Sequence, residues 1–180
     1  MTDFSLYILD LAQNCIRAKA TQIDITIHEM INNNKLFIEI ADNGCGIPKD
    51  KVSSVTSPFY TTRTTRKVGL GLSLFKEMVT SANGEFKIIT NQYGTTIRAL
   101  MQYDHVDLMD IGNIEETIFC LVLNEEINIC FEYLVDDSRF VFDTVEIKKV
   151  LNDIKITEPT IMDWLKKQFL KELNIVRRKK

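Results

Sequence analysis

The chain has 180 residues, 45% hydrophobic and 26% charged, with a formal net charge of −3. That is enough for one domain with a full core, or one domain plus an appendage, in the composition range of a globular rather than a disordered protein. The small negative charge removes a global electrostatic case for nucleic acid, no apolar run approaches the ~20 residues of a membrane span, and no basic region followed by a long apolar stretch marks a secretion signal.

Residues 4–19 predict a helix, with Leu6, Leu9, Ala12, Ile16 and Ala20 at three- and four-residue steps and Ile8, Leu11 and Cys15 beside them. Asp3 or Ser5 would cap it. Asp10 and Asn14 interrupt the apolar surface four residues apart, so they share one face. A carboxylate and an amide so placed can share a metal ion or a phosphate-bound water; solvated side chains at the edge of the stripe fit the same pattern. Residues 21–30 alternate as a strand, with Ile23, Ile25 and Ile27 on one face and Asp24, Thr26 and His28 on the other. His28 reads as an exposed strand residue rather than a ligand. Asn32-Asn33-Asn34 predicts a turn, and 35–41 a second strand antiparallel to the first and packed on the helix. Ala18 and Ala20 keep the intervening turn thin.

The strand runs into Asp42-Asn43-Gly44-Cys45-Gly46-Ile47. Two glycines one residue apart after an acidic strand end suit a backbone bend held open for a ligand; an aspartate–glycine hairpin turn shares the pattern. A short helix is expected at 49–53. Residues 57–68 are polar, basic and rich in hydroxyls, and Gly69-Leu70-Gly71-Leu72-Ser73 then opens a helix running to about residue 82. Glycines at a helix start expose N–H groups that, with the helix dipole, attract anions, and Arg63, Arg66 and Lys67 can add charge toward a triphosphate. An ordinary helix start after a basic surface loop is the other reading. No G-x-x-x-x-G-K-[ST] is present, so this is not a P-loop. Residues 86–90 and 95–103 predict a second hairpin.

Beyond residue 104 no chemistry is recognisable. A helix over 114–123, a hairpin of 127–135 with 140–143, a helix over 145–154 capped by Thr144, and an amphipathic helix from Pro159 to about residue 173 are expected. Ile161, Trp164, Leu165, Phe169 and Leu173 form the last stripe, with Trp164 assigned to the core. Arg177-Arg178-Lys179-Lys180 reads as a solvated tail. Cys15, Cys45, Cys120 and Cys130 form no C-x-x-C pair and no metal spacing, so they read as reduced thiols in a cytoplasmic protein.

In order, the chain reads helix with Asp-x-x-x-Asn, hairpin, Asp-x-Gly-x-Gly, basic loop, Gly-x-Gly helix, hairpin with Gly-Thr. Over about residues 4–103 this resembles the GHKL ATP-binding superfamily, which includes DNA gyrase, heat-shock chaperone ATPases, histidine kinases and MutL. The stretches 14–21 and 42–47 look most like MutL; 58–62 with 69–73 look more like histidine kinases and anti-sigma kinases. The resemblance implies an α+β fold: a two-layer α/β sandwich (Bergerat ATP-binding fold), with a mixed, mainly antiparallel sheet and helices on one face. It implies an ATP-binding domain over 1–104, leaving 105–180 as a small α+β appendage.

It also implies site roles. Asn14 would coordinate Mg²⁺ bridging the phosphates, and Asp42 would accept a hydrogen bond from the adenine amino group, with Thr95 helping through a water. Gly44 and Gly46 would let adenine lie against backbone, with Ile47 beside them; Gly69 and Gly71, with Leu70 between them and Lys67 before, would contact phosphates. Asp10 would be the water-activating base. At that position hydrolysing relatives most often carry glutamate, one methylene longer, and general-base work needs hydrogen-bond reach to the attacking water. The chain starts at the first helix, without room for the phospho-histidine hairpin of a histidine kinase. The expected function is an Mg-ATP-binding protein that hydrolyses ATP slowly or phosphorylates a partner protein as anti-sigma kinases do. The alternative is a non-hydrolysing switch that binds a partner according to bound ATP or ADP.

Overall fold

The computed structural model describes residues 3–52, 54–55 and 71–178. The first helix, α1 (Phe4–Arg17), starts where the Asp3 carboxylate accepts from Leu6 N–H at 3.2 Å. Asp3, rather than Ser5, is the cap. The helix ends two residues before the expected position, because Lys19 takes a left-handed conformation (φ 60°) that turns the chain into β1 (Gln22–Met30). Asn34, at φ 53°, closes the turn into β2 (Lys35–Asp42), the left-handed role that asparagine tolerates. The short helix expected at 49–53 is a single 3-10 turn, Lys49–Lys51. After α2 (Gly71–Ser81), β3 (Glu85–Asn91) and β4 (Gly94–Gln102) form the second hairpin.

Six strands make one sheet in the order β3-β4-β2-β1-β5-β6, where β5 is Asn128–Val135 and β6 is Ser138–Asp143. All neighbours are antiparallel except β1 and β5, which run parallel. The register lines up Ile88, Ile97, Ile40, Ile25, Phe131 and Phe142 as one row across the sheet. Their face carries the core, covered by α1, α2, α3 (Ile114–Val122) and α5 (Pro159–Arg177). The row on the opposite face reads Lys87, Arg98, Glu39, Thr26, Glu132 and Val141, five of its six side chains polar. This is the mixed α+β sandwich expected from the sequence.

Residues beyond 104 continue the same sheet and core. Phe4 N–H donates to Asp110 C=O at 3.0 Å and Ser5 N–H to Ile111 C=O at 2.9 Å, which fastens the start of α1 to the segment before α3. At the far end of β1, Glu29 is 1% exposed and accepts from Tyr103 Oη at 2.7 Å and from Tyr133 Oη. Arg177 in turn donates to Tyr133 Oη at 3.3 Å and lies over its ring.

Three local expectations are corrected. The cap of α4 (Thr144–Leu151) is Asp143, whose carboxylate accepts from Val145 N–H at 2.7 Å; Thr144 Oγ1 instead accepts from Ile129 N–H at 2.8 Å. His28 is half-buried, its ring nitrogen 3.1 Å from Asp136 C=O. Trp164 is 57% exposed, because the buried stripe of α5 is Met162, Leu165, Phe169, Leu173 and Val176. One residue is about 100° of helix, so the step from Leu165 back to Trp164 leaves the core.

Candidate functional site

Asp42 ends β2 opposite Ile23 of β1 and Thr95 of β4. Its Oδ1 accepts from Gly44 N–H at 2.7 Å, so the side chain bends its own backbone off the strand. The turn is then pinned from three sides. Asn43 Oδ1 accepts from Thr21 N–H at 2.8 Å and Gln22 N–H at 3.0 Å, Cys45 N–H donates to Ala18 C=O at 3.0 Å, and Ile47 N–H donates to Thr90 Oγ1 at 2.8 Å. Both glycines are required by space. A Cβ on Gly44 would lie 2.7 Å from Ala18 O, and one on Gly46, whose φ is +68°, would lie 1.7 Å from Asn91 O.

This turn floors a cleft of about 340 Å³, within the range of small-ligand sites. One wall is α1, contributing Asp10, Asn14 and Arg17; Asp42, Gly46, Ile47 and Thr95 lie at the sheet end; Gly71 and Leu72, at the start of α2, close another side. Apolar surface comes from Leu11, Val55 and Ile97. Thr95 is 8% exposed, and its hydroxyl is 3.2 Å from Thr90 Oγ1, so the threonine pair joins the glycine turn to β4. Cys15 also lines the cleft; burial and the adjacent Asp42 charge push its thiol well above the usual range, and Sγ donates to Leu11 C=O at 3.3 Å. A Cβ on Gly71 would lie 1.7 Å from Asp10 Oδ2, so the first residue of α2 packs directly on that carboxylate.

Of the residues expected at a site, Asp10, Asn14, Asp42, Gly46, Ile47, Gly71 and Thr95 line this one cleft. Gly44 lies behind its floor, buried against Ala18. Lys67, Gly69 and Leu70 lie outside the described residues. Two basic residues that sequence reasoning misses also line the cleft: Lys51, and Arg17, which donates to Asn14 Oδ1. The signal for Arg17 was its three-residue spacing from Asn14 on the same helix. Among the described residues, no group of three His, Cys, Asp or Glu side chains could hold a metal, and no helix is long and apolar enough to cross a membrane.

The model of the histidine kinase-, DNA gyrase B- and HSP90-like ATPase family matches residues 2–105. A putative sensor protein of Shewanella frigidimarina is 37% identical over 103 residues, covering 54% of this chain and 16% of that protein. The DNA mismatch repair protein MutL of Bartonella bacilliformis is 43% identical over 56 residues, 31% of this chain and 9% of that one. The chain thus spans a sixth or less of the length of these relatives. Among solved structures, the Aquifex aeolicus MutL ATPase domain complexed with ADP superposes with a TM-score of 0.50 at 14% identity, covering 84% of this chain and 69% of that one. The N-terminal domain of a DNA repair protein gives 0.55 at 17% identity, covering 78% and 52%. These two likenesses are of fold. The first reaches well past residue 104, since 84% of 180 residues is about 151.

Proposed function

The chain belongs to the histidine kinase-, DNA gyrase B- and HSP90-like ATPase family, and on that premise we propose that its cleft binds Mg-ATP, adenine toward Asp42 and Thr95 and phosphates toward Asn14, Arg17 and the start of α2. The observation that carries this reading is the convergence of Asp10, Asn14, Asp42, Gly46, Gly71 and Thr95, from separate parts of the sequence, on one cleft. Asp42 Oδ1 is fixed by Gly44 N–H, and a carboxylate keeps further acceptor capacity for an amino N–H. Adenine offers such a donor. Guanine would set a carbonyl oxygen against the carboxylate, so the site discriminates by charge as well as shape.

The donor set suits magnesium only alongside a phosphate ligand. The ion prefers oxygen ligands and keeps several waters; Asn14 offers an amide oxygen, and no acidic cluster stands ready to hold a bare ion. When bound, magnesium would offset phosphate charge. Asn14 Oδ1 currently accepts from Arg17, so metal binding would release that guanidinium toward the phosphates. Asp10, on the same face as Asn14, would take the proton of an attacking water.

We take slow hydrolysis, or phosphoryl transfer to a side chain of a partner protein, as the activity, in a cytoplasmic protein. One observation favours the second reading, a nucleotide-dependent switch without turnover: α2 packs on the Asp10 carboxylate itself, where an attacking water would need room. Calorimetric titration with Mg-ATP, Mg-ADP and Mg-GTP tests the binding claim. Adenine nucleotides should bind, GTP should not, and Asp42→Asn should weaken ATP at least tenfold; unchanged affinity in that variant would refute the assignment. Phosphate release that disappears in Asp10→Asn selects hydrolysis; with no release, label from γ-³²P-ATP appearing on a protein of a cell extract selects phosphoryl transfer, and the absence of both signals selects the switch.

A further inference from the structure

The two edges of the sheet are built differently. On β3, Glu85 and Lys87 are exposed and bridge each other at 3.1 Å, a charged guard of the kind that blocks strand addition. The other edge, β6, reads Ser138-Arg139-Phe140-Val141-Phe142-Asp143, with Val141 42% exposed at its centre, and no described residue pairs with its outer side.

The pattern of β6 is self-complementary. The two-residue turn at 136–137 closes on the pair Val135 and Ser138. Strand alternation then turns the N–H and C=O groups of Ser138, Phe140 and Phe142 toward β5 and those of Arg139, Val141 and Asp143 outward. A second β6, related by a two-fold axis at Val141, sets valine against valine and Arg139 against Asp143 twice, with about six backbone hydrogen bonds. Moving the axis to Arg139 or to Asp143 would oppose like charges, so charge selects the register.

The helix above this edge fits the same axis. Phe169 of α5 lies 5.5 Å from Phe131 of β5 and 5.0 and 5.3 Å from Phe140 and Phe142 of β6, so α5 sits over that strand pair. With strands about 4.8 Å apart, the two-fold would bring a second α5 to about 10 Å, an ordinary helix-packing distance. Lys166 reaches over Phe119 and marks the side of α5 that faces α3. On the opposite flank, Ile161, Trp164, Gln168, Lys171 and Ile175 recur at three- and four-residue steps, with Trp164 57% and Ile175 45% exposed. Ile161 and Ile175 stand symmetrically about Gln168, so an antiparallel neighbour sets one against the other and brings Trp164 within one residue of the level of Lys171, in reach of cation–π contact. A strand pair alone is small against the ~1,000 Å² of a specific interface; the helix flank supplies the rest.

We propose that the partner at this edge is a second copy of the chain, paired antiparallel through β6 and α5 into a continuous twelve-stranded sheet, six strands from each copy. The nucleotide cleft lies across the sheet, at β2 and β4, and the proposal does not depend on how that cleft is read. Sedimentation or light scattering over a concentration series, on the full chain, tests it. The native chain should be a dimer. Val141→Lys and Trp164→Glu, both at exposed positions, should each raise the dissociation constant at least tenfold while far-UV dichroism stays unchanged, and hydrogen exchange should show the amides of Arg139, Val141 and Asp143 protected only in the dimer. A monomer at every concentration, an open-ended polymer, or a dimer indifferent to both substitutions would overturn the proposal.

Discussion

Glu29 and Asp42 stand on neighbouring strands at opposite ends of one hairpin. Ile23 pairs with Asp42, and Glu29 lies six residues along β1 from Ile23, about 20 Å away. Glu29 is closed in: two tyrosine hydroxyls donate to its two oxygens, and Arg177 backs one of them. Asp42 spends one oxygen on its own turn and faces a cleft. A carboxylate whose acceptors are filled by protein donors holds elements together, whereas one left beside open volume keeps acceptor capacity that a ligand can use. Burial and donors change together: Glu29 is 1% exposed with both oxygens taken, whereas Asp42 is half-buried beside the cleft.

Substitutions should separate the two ends. The largest loss of stability is expected from Glu29→Ala, which takes the carboxylate acceptor from the buried Tyr133 hydroxyl and the half-buried Tyr103 hydroxyl: about 3 kcal/mol, or roughly 6–12 °C in Tm for a chain of this size, measured by chemical and thermal unfolding. Nucleotide affinity of the folded fraction should not change; if it fell in step with stability, the ends would be coupled. Gly46→Ala should cost about 1–3 kcal/mol through its strained φ, and because Asn91 O must move, it should also weaken nucleotide binding. Alkaline unfolding gives a smaller effect. Burial, with the Glu29 charge second, pushes the Tyr133 hydroxyl above its ordinary value near 10. The folded state therefore keeps a proton that the unfolded state has lost, and stability should fall as pH rises past about 10; Tyr133→Phe should flatten that slope. The smallest change in stability, within about 0.5 kcal/mol, is expected from Arg17→Ala, on the exposed wall of the cleft, although titration should show ATP bound several-fold more weakly.

The contrast also explains what could be read in advance. Asp42, Gly44 and Gly46 sit in one short stretch whose chemistry is local, and Asp10 with Asn14 follow from helical spacing, so the cleft was legible. The network at Glu29 draws on β1, Tyr103 just past β4, β5 and α5, and no periodicity announces it; in the sequence Glu29 is simply the residue that follows three alternating isoleucines and His28. The parallel pairing of β1 with β5 is equally silent, because strand order in a sheet is not written in chain order. Trp164 was misassigned because apolar residues adjacent in sequence, Trp164 and Leu165, leave the phase of the helix open until Met162 and Val176 are seen to be buried.

The most direct test is a map of backbone amide chemical shifts in the ¹⁵N-labelled chain on titration with Mg-ADP. Saturable shifts are expected at Asn14, at residues 43–47, and at Gly71 and Thr95, with none at Glu29 or Tyr133. No shifts at millimolar nucleotide, or shifts centred on the Glu29 end of the sheet, would contradict the assignment of the cleft.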